Sequence, residues 1–247
     1  MKYEKIKEGR FVERPNRFIA LVEVDGKVEQ CHVKNTGRCK ELLVPGARVW
    51  LDQSLNPNRK TAYDLVAVEK CGRGIVNMDS QAPNKAVHEW LEQQASAQYG
   101  GCAGSHTLFP DILSIQPECR YGNSRIDFYL EAGRERLRKV FIEVKGVTLE
   151  EDGIARFPDA PTERGIKHML ELGKAIKAGY EAWILFVIQM EGIRWFEPND
   201  RAHPQFGETL RQVQKEGVGV LAYGCKVSED EMALDMPTEV KLHECKN

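Results

Sequence analysis

Ser124-Arg125-Ile126-Asp127-Phe128, followed by Phe141-Ile142-Glu143-Val144-Lys145, is the stretch on which the fold of the C-terminal part of this chain turns. Apolar residues alternate in both segments, with Ile126, Phe128 and Leu130 in the first and Val140, Ile142 and Val144 in the second. A period of two is the pattern of half-buried strands. A hairpin with matched apolar faces and no bulge predicts Phe128 opposite Ile142 and Ile126 opposite Val144, which sets Asp127 opposite Glu143. Like charges in that position destabilise a sheet. A divalent cation offsets the repulsion, because Mg²⁺ or Mn²⁺ takes hard oxygen ligands, commonly one or two carboxylates with water and phosphate. Lys145 projects from the same face as Glu143, roughly 6.5 Å further along the strand. There its ammonium can orient a water or neutralise charge on a phosphorane. A solvent-facing hairpin carrying Asp, Glu and Lys has the same spacing, so spacing alone leaves both readings open.

The chain has 247 residues, 42% hydrophobic and 29% charged, enough for one large or two modest domains. Its longest apolar run, Ala182 to Ile188, is too short to span a membrane, and Met1-Lys2-Tyr3-Glu4-Lys5 lacks the apolar stretch of a secretion signal. Seven scattered cysteines without a C-x-x-C pair suit reduced thiols. The expectation is a cytoplasmic protein with no membrane partner; a homo-oligomer is left open. Cys31 beside His32 reads as a neighbour pair on a strand, its side chains on opposite faces. The net charge of −2 divides unevenly: residues 1–80 hold 15 Lys and Arg against 11 Asp and Glu, and residues 81–247 hold 20 against 26. A basic first part suits a polyanionic ligand.

Residues 1–80 read as β-rich, with strands over 17–24, 28–34, 47–52, 62–68 and 74–77. Asp25-Gly26 between the first two is a type I′ hairpin signal. Pro45-Gly46 and Asn56-Pro57-Asn58 mark turns. A small five-stranded barrel of the oligonucleotide-binding kind follows, with a plain β-barrel packing module as the alternative. Arg14, Asn16 and Arg17 at its entry and Asn35-Thr36-Gly37-Arg38 in a loop offer phosphate donors. Phe18 shares a strand face with Ala20, Val22 and Val24 and is expected in the core.

From about residue 81 helices and strands alternate in an α/β arrangement. A helix runs from Pro83-Asn84 to about Gln98 with Val87, Trp90 and Leu91 buried. Glycines 100, 101 and 104 mark a loop, and a strand over 112–120 leads to the Tyr121-Gly122-Asn123 turn. A second helix over 162–178, capped by Thr162 and stopped by Gly179, buries Ile166, Met169, Leu170, Gly173 and Ile176. A strand over 182–188, a helix over 205–215 and a strand over 218–223 follow. Arg164, Lys167 and His168 share one helix face, which reads either as a phosphate-binding face or as a solvated one.

Taken together, Ser124 to Phe128, Glu143 to Leu149 and Phe157-Pro158-Asp159-Ala160-Pro161-Thr162-Glu163-Arg164-Gly165-Ile166-Lys167-His168 resemble the sugar fermentation stimulation protein A family. Asn35-Thr36-Gly37-Arg38, Pro45-Gly46 and Tyr121-Gly122 match it as well, so the resemblance spans roughly residues 12–223. It implies an α+β two-domain chain: an OB-like barrel over 1–80 and an α/β restriction-endonuclease-like, PD-(D/E)XK domain over 81–247. It also implies DNA binding, on single or double strands, and a regulatory link to sugar (maltose) metabolism. Carried onto this chain, Asp127, Glu143 and Lys145 match the nuclease residues, and Glu89 matches the upstream helical glutamate least securely, since Asn84 to Trp90 departs from the family pattern. Glu118 competes with Glu89 for the third place on a Mg²⁺ or Mn²⁺ ion. Arg125, Arg164, Lys167 and His168 join Arg14, Asn16, Arg17, Asn35, Thr36 and Arg38 as expected nucleic-acid contacts. The expected chemistry is metal-dependent DNA hydrolysis, with a catalytically silent DNA-binding regulator, or an RNA-directed module, as the alternatives.

Overall fold

The computed structural model describes residues 1–35, 37–97 and 108–243. Thr36, the expected glycine loop and the expected helix end at Gln98 lie outside the described residues.

Strands β1 (Ile6–Asn16), β2 (Ile19–Val24), β3 (Lys27–Val33), β4 (Arg48–Gln53), β5 (Tyr63–Lys70) and β6 (Gly74–Asn77) form the N-terminal sheet in the order β3-β2-β1-β4-β5-β6. A parallel pairing of β3 with β5, from Cys31–Tyr63 to Val33–Leu65, closes the first five into an OB-like barrel. Asp25 and Gly26 both take positive φ, 49° and 76°, as a type I′ turn requires. Inward-facing Ala20, Val22, Val33, Val49, Leu51 and Leu65 fill the barrel. The unexpected strand is β1. Its charged outer face hides the alternation, and one inner position is Gly9, where a Cβ would meet Val22 Cγ1 at 2.5 Å. The fifth barrel strand is therefore β1, and β6 extends β5 outside the closure.

The C-terminal elements are α1 (Ala82–Ala97), β7 (Ile112–Tyr121), β8 (Ser124–Ala132), β9 (Arg138–Val147), β10 (Leu149–Glu151), β11 (Ile154–Phe157), α2 (Glu163–Lys177), β12 (Glu181–Ile188), β13 (Trp195–Pro198), α3 (Pro204–Lys215), β14 (Gly219–Val227) and β15 (Met232–Val240). Their nine strands form one mixed sheet ordered β10-β11-β13-β15-β14-β12-β9-β8-β7. Parallel pairs flank β12 on both sides, so its residues are covered on both faces. Ala182, Ile184, Phe186 and Ile188 pack with α2 and α3, and Leu185 and Val187 with α1. Each of the buried Ile, Phe, Leu and Val side chains contributes about 1.5–3 kcal/mol, which makes this strand the spine of an α/β/α restriction-endonuclease-like layer. Among the described residues no helix is long and apolar enough to cross a membrane.

Thr162 caps α2 as expected, its Oγ1 accepting from Gly165 N at 3.1 Å, and Gly179 follows its end with φ 88°. The buried face differs from the expected stripe. Leu170 is 42% exposed, whereas Leu172 and His168 are buried. The helix is covered by the sheet on one side and α3 on another, so its apolar arc is wider than a single stripe.

The two parts share buried apolar clusters, with Val66 of β5 in the same cluster as Ala86 and Val87 of α1, and they meet through polar contacts as well. Asn77 N donates to Gln189 O at 3.0 Å, and Gln189 Nε2 donates to the carbonyls of Asn77 and Asp79 at 3.0 and 3.1 Å. Lys70 and Arg73 from the barrel both grip buried Glu150, at 2.6 and 2.9 Å. The first residues leave the barrel: Lys2 bridges Glu231 on the approach to β15, and Tyr3 N donates to Asp230 O.

Candidate active site

The β8–β9 ladder pairs Ala132 with Arg138 through Phe128 with Ile142 and then ends. Phe128 opposite Ile142 is the register the apolar alternation predicts. The paired positions expected beyond it, Ile126–Val144 and Asp127–Glu143, are not formed. Beyond this point β8 continues with β7 alone, down to Tyr121–Ser124. The separation leaves a backbone donor on β9 without its strand partner, and a buried N–H must be satisfied. Asp127 supplies the acceptor: its Oδ2 takes the Val144 N–H at 2.8 Å, and Oδ1 takes Asn84 Nδ2 at 2.8 Å. Asn84 sits in the first turn of α1, so the aspartate is fixed from two layers.

Glu143 is 2% exposed and faces α2. Its Oε1 accepts from Lys145 Nζ at 2.5 Å and from His168 Nδ1. Arg164 Nε lies 3.4 Å from His168 Nε2 and can only donate, so the imidazole directs its Nδ1 proton at Glu143. His168 was grouped with an outward charged face, but it is buried and turned inward. The other carboxylate oxygen, Glu143 Oε2, is buried and has no hydrogen-bond partner. A buried anionic oxygen in that state costs free energy unless something binds it.

The charges divide the two acids. Burial, and next the Glu143 charge, push the Asp127 carboxyl above its ordinary range. Burial also opposes ionisation of Glu143, yet the Lys145 ammonium and His168 hold its carboxyl below the ordinary range. The charges of Asp127 and Glu143 therefore interact, and the Lys145 ammonium is bonded to Glu143. Two convergent carboxylates, one with an unbonded oxygen, fit a hard divalent cation whose shell is completed by water and phosphate oxygens. Among the described residues no group of three His, Cys, Asp or Glu is arranged to hold a metal ion alone.

Neither third-carboxylate candidate joins this cluster. Glu89 Oε2 binds the Met1 ammonium at 2.5 Å, and Glu118, at φ 58°, pairs with Arg125 on the exposed β7–β8 ribbon. Lys167 Nζ donates to Asn123 O at 2.9 Å, tying α2 to the ribbon turn. At the barrel, Arg14 differs from a phosphate donor. Its guanidinium donates to the carbonyls of Gly37, Arg38, Arg17 and Asn35 at 2.6–2.9 Å. Asn16 Oδ1 accepts from Phe18 N and Ile19 N, and Asn35 braces its own loop through Gly37 N and Met78 O. These residues shape the loop. Arg17 and Arg38 are exposed, with no carboxylate partner among the described residues. Phe18 departs from its expected core position: it is 45% exposed, with the Arg17 guanidinium 4.6 Å above its ring. Asn84 is a site residue that the sequence does not single out, because an amide in the first turn of a helix carries no chemical signal of its own.

Comparison with known proteins gives this geometry a family. Residues 12–78 match the SfsA N-terminal OB domain, and residues 81–231 match the sugar fermentation stimulation protein RE domain. A sugar fermentation stimulation protein homolog of Desulfitobacterium hafniense is 53% identical over 99% of this chain and 100% of its own length. The homolog of Ruminiclostridium cellulolyticum is 51% identical over 98% of this chain and 100% of its own length. Among solved structures, that of Pyrococcus furiosus SfsA in complex with Ca²⁺ is similar with a TM-score of 0.81 at 27% identity, over 98% of both chains. Matched by the two domain models over residues 12–78 and 81–231, and by relatives over nearly its whole length, the chain belongs to the sugar fermentation stimulation protein family.

Proposed function

We propose that this chain is a DNA-binding protein whose Asp127, Glu143 and Lys145 hydrolyse DNA phosphodiester bonds with the help of Mg²⁺ or Mn²⁺. The observation that carries the reading is the buried, unbonded Glu143 Oε2 beside Asp127. The Ca²⁺ held by the Pyrococcus furiosus relative supports a site for a hard cation, since Ca²⁺ and Mg²⁺ share a preference for oxygen ligands. A bound cation supplies charge neutralisation at the phosphate and lowers the pKa of an attacking water.

The residues of this chain do the rest. Asn84 and the Val144 N–H hold Asp127 in one rotamer. His168 fixes Glu143 through Oε1, so that Oε2 points away from the imidazole. Lys145 keeps its ammonium at the edge of the carboxylate pair, where negative charge on the phosphorane is stabilised in a low-dielectric setting. Five free cysteines among the described residues support a reducing, cytoplasmic setting.

A second reading rests on a specific observation. Lys145 and His168 already satisfy one Glu143 oxygen, and among the described residues no third acidic ligand stands near. That arrangement also suits a DNA-binding regulator, linked to sugar metabolism, that does not cleave. The deciding experiment is cleavage of single- and double-stranded DNA with Mg²⁺ or Mn²⁺ by wild type and Glu143→Ala. Metal-dependent cleavage that falls about a thousandfold in the variant supports the nuclease. Cleavage that survives the substitution removes Glu143 from the mechanism, and binding without cleavage on every substrate leaves the regulator.

A further inference from the structure

A cleft of about 440 Å³ opens between the two domains, beginning at Gly146, the residue after Lys145. Arg17, Asn35 and Gly37 form its barrel wall, while Phe157, Pro158 and Pro161 lie on the opposite wall. A second depression of about 310 Å³ shares Arg17 and Gly37 with it and adds Arg38 and Lys40. The two adjoin at Arg17 and Gly37, and the larger one reaches the β9 backbone at Gly146, one residue from Lys145.

Charge along this path is unspent. Lys34, Arg48, Arg59, Lys70 and Arg73 of the same barrel all pair with carboxylates. Arg17, Arg38 and Lys40 are exposed, and among the described residues none of their side chains has an ion pair or a hydrogen bond. Arg14 holds the loop under them through four carbonyls, so the cations are presented on a pre-organised frame. The exposed Phe18 ring, with Arg17 over one face, adds an aromatic surface next to Arg17. Cations on one wall, apolar rings on the other and an aromatic face at the entrance are the elements by which single-stranded nucleic acid is bound: the groove tracks the backbone and bases stack.

Size selects the strand class. A cleft of 440 Å³ has the capacity of a small-molecule site. A B-form duplex, whose major groove alone is about 12 Å across, cannot enter it. Asp159 on the far wall leans against Gly37, its Oδ2 lying 2.5 Å from where a Cβ would stand. That carboxylate stands against the barrel wall and repels phosphate there, which leaves the cations Arg17, Arg38 and Lys40 as the phosphate contacts.

We propose that Arg17, Phe18, Arg38 and Lys40 form a single-strand track that leads one DNA strand, with its bases unpaired, through the interdomain cleft to the Asp127–Glu143 site. The track rests on the reading of that site as one that acts on DNA, and it makes single strands, flaps or frayed ends the substrate class. Its test separates binding from cleavage. In EDTA, fluorescence anisotropy compares a labelled oligo-dT with a blunt duplex of equal length. Wild type binds the single strand about tenfold or more tighter, and Arg17→Ala with Phe18→Ala removes that margin. Ala160→Trp, which fills the cleft from its proline wall, abolishes the preference with an unchanged melting temperature. If that variant unfolds, the exposed pair Arg38→Ser and Lys40→Ser decides instead, and again the single strand loses affinity more than the duplex. Equal affinity for both substrates in wild type, or a preference untouched by either set of variants, overturns the track. Addition of Mn²⁺ then reads the nuclease separately. Single-strand preference without any cleavage keeps the track and sinks hydrolysis, while internal cleavage of blunt duplex at the single-strand rate does the reverse.

Discussion

The barrel loop and the carboxylate cluster handle charge in opposite ways. In the loop, Arg14 spends its guanidinium on four carbonyls, and neighbouring Arg17, Arg38 and Lys40 are exposed with no ion pair among the described residues. In the cluster, nearly every atom is answered internally: Asp127 by Asn84 and Val144, and Glu143 Oε1 by Lys145 and His168. Of the two carboxylates' oxygens, Glu143 Oε2 alone has no hydrogen-bond partner among the described residues. An exposed cation is cheap to leave unpaired because water solvates it, whereas a buried carboxylate oxygen is not. The loop is therefore built to meet a polyanion of variable position, and the cluster to meet one ion at a fixed point.

The contrast breaks first at Arg14. Arg14→Ala removes charged donors from four carbonyls and is expected to cost about 2–4 kcal/mol after water replaces part of the bonding. Arg17→Ala, with no bond to lose, should change stability by no more than about 0.5 kcal/mol. Chemical denaturation of both variants measures the difference. Similar losses for the two would mean that Arg14 does not organise the loop.

Next in size is the support of Asp127. Asn84→Ala should weaken Mn²⁺ binding about ten- to a hundredfold, the usual effect of losing a group that orients a ligand. Mn²⁺ affinity read by calorimetry tests it, and an unchanged value places the cation elsewhere.

The smallest effect is a pH dependence. Asp127 has its carboxyl raised by burial and by Glu143, so the folded state binds that proton more tightly than the unfolded chain does. The contribution of Asp127 to metal-free stability is thus greatest in acid and is lost as pH rises through its folded pKa. A cation competes for the same oxygen, so its stabilising effect runs the other way. The melting-temperature rise on adding Mn²⁺ should shrink as pH falls into the range just above that of an ordinary carboxylate. A rise that stays constant down to that of an unperturbed aspartate would separate Asp127 from the cation.

The sequence carried more of the fold than of the site's wiring. Alternation alone gave Phe128 opposite Ile142, and Asp25-Gly26 and Thr162 marked a turn and a helix start where they occur. β1 escaped because Gly9 erases one inward position and charges cover its outer face. The short β10, β11 and β13 and the charged β15 escaped because their pairing is set by tertiary contacts rather than by period. At the site, Asp127 and Glu143 were legible as a pair, but the route by which they converge was not. A regular hairpin would have paired them across the ladder; the strands instead part at Asp127, whose side chain takes over a backbone bond. His168 looked solvated because helical spacing groups it with Arg164 and Lys167, and only the packing of α2 against β9 shows it turned to Glu143. Arg14 looked like a phosphate donor because composition cannot tell a cation facing carbonyls from one facing water.

If Asp127 and Glu143 together bind one hard cation, titration of Mn²⁺ into wild type, Asp127→Asn and Glu143→Gln by calorimetry will show it. Wild type should bind saturably, and both variants should lose that binding while retaining cooperative unfolding. Binding that persists undiminished in both folded variants would contradict it.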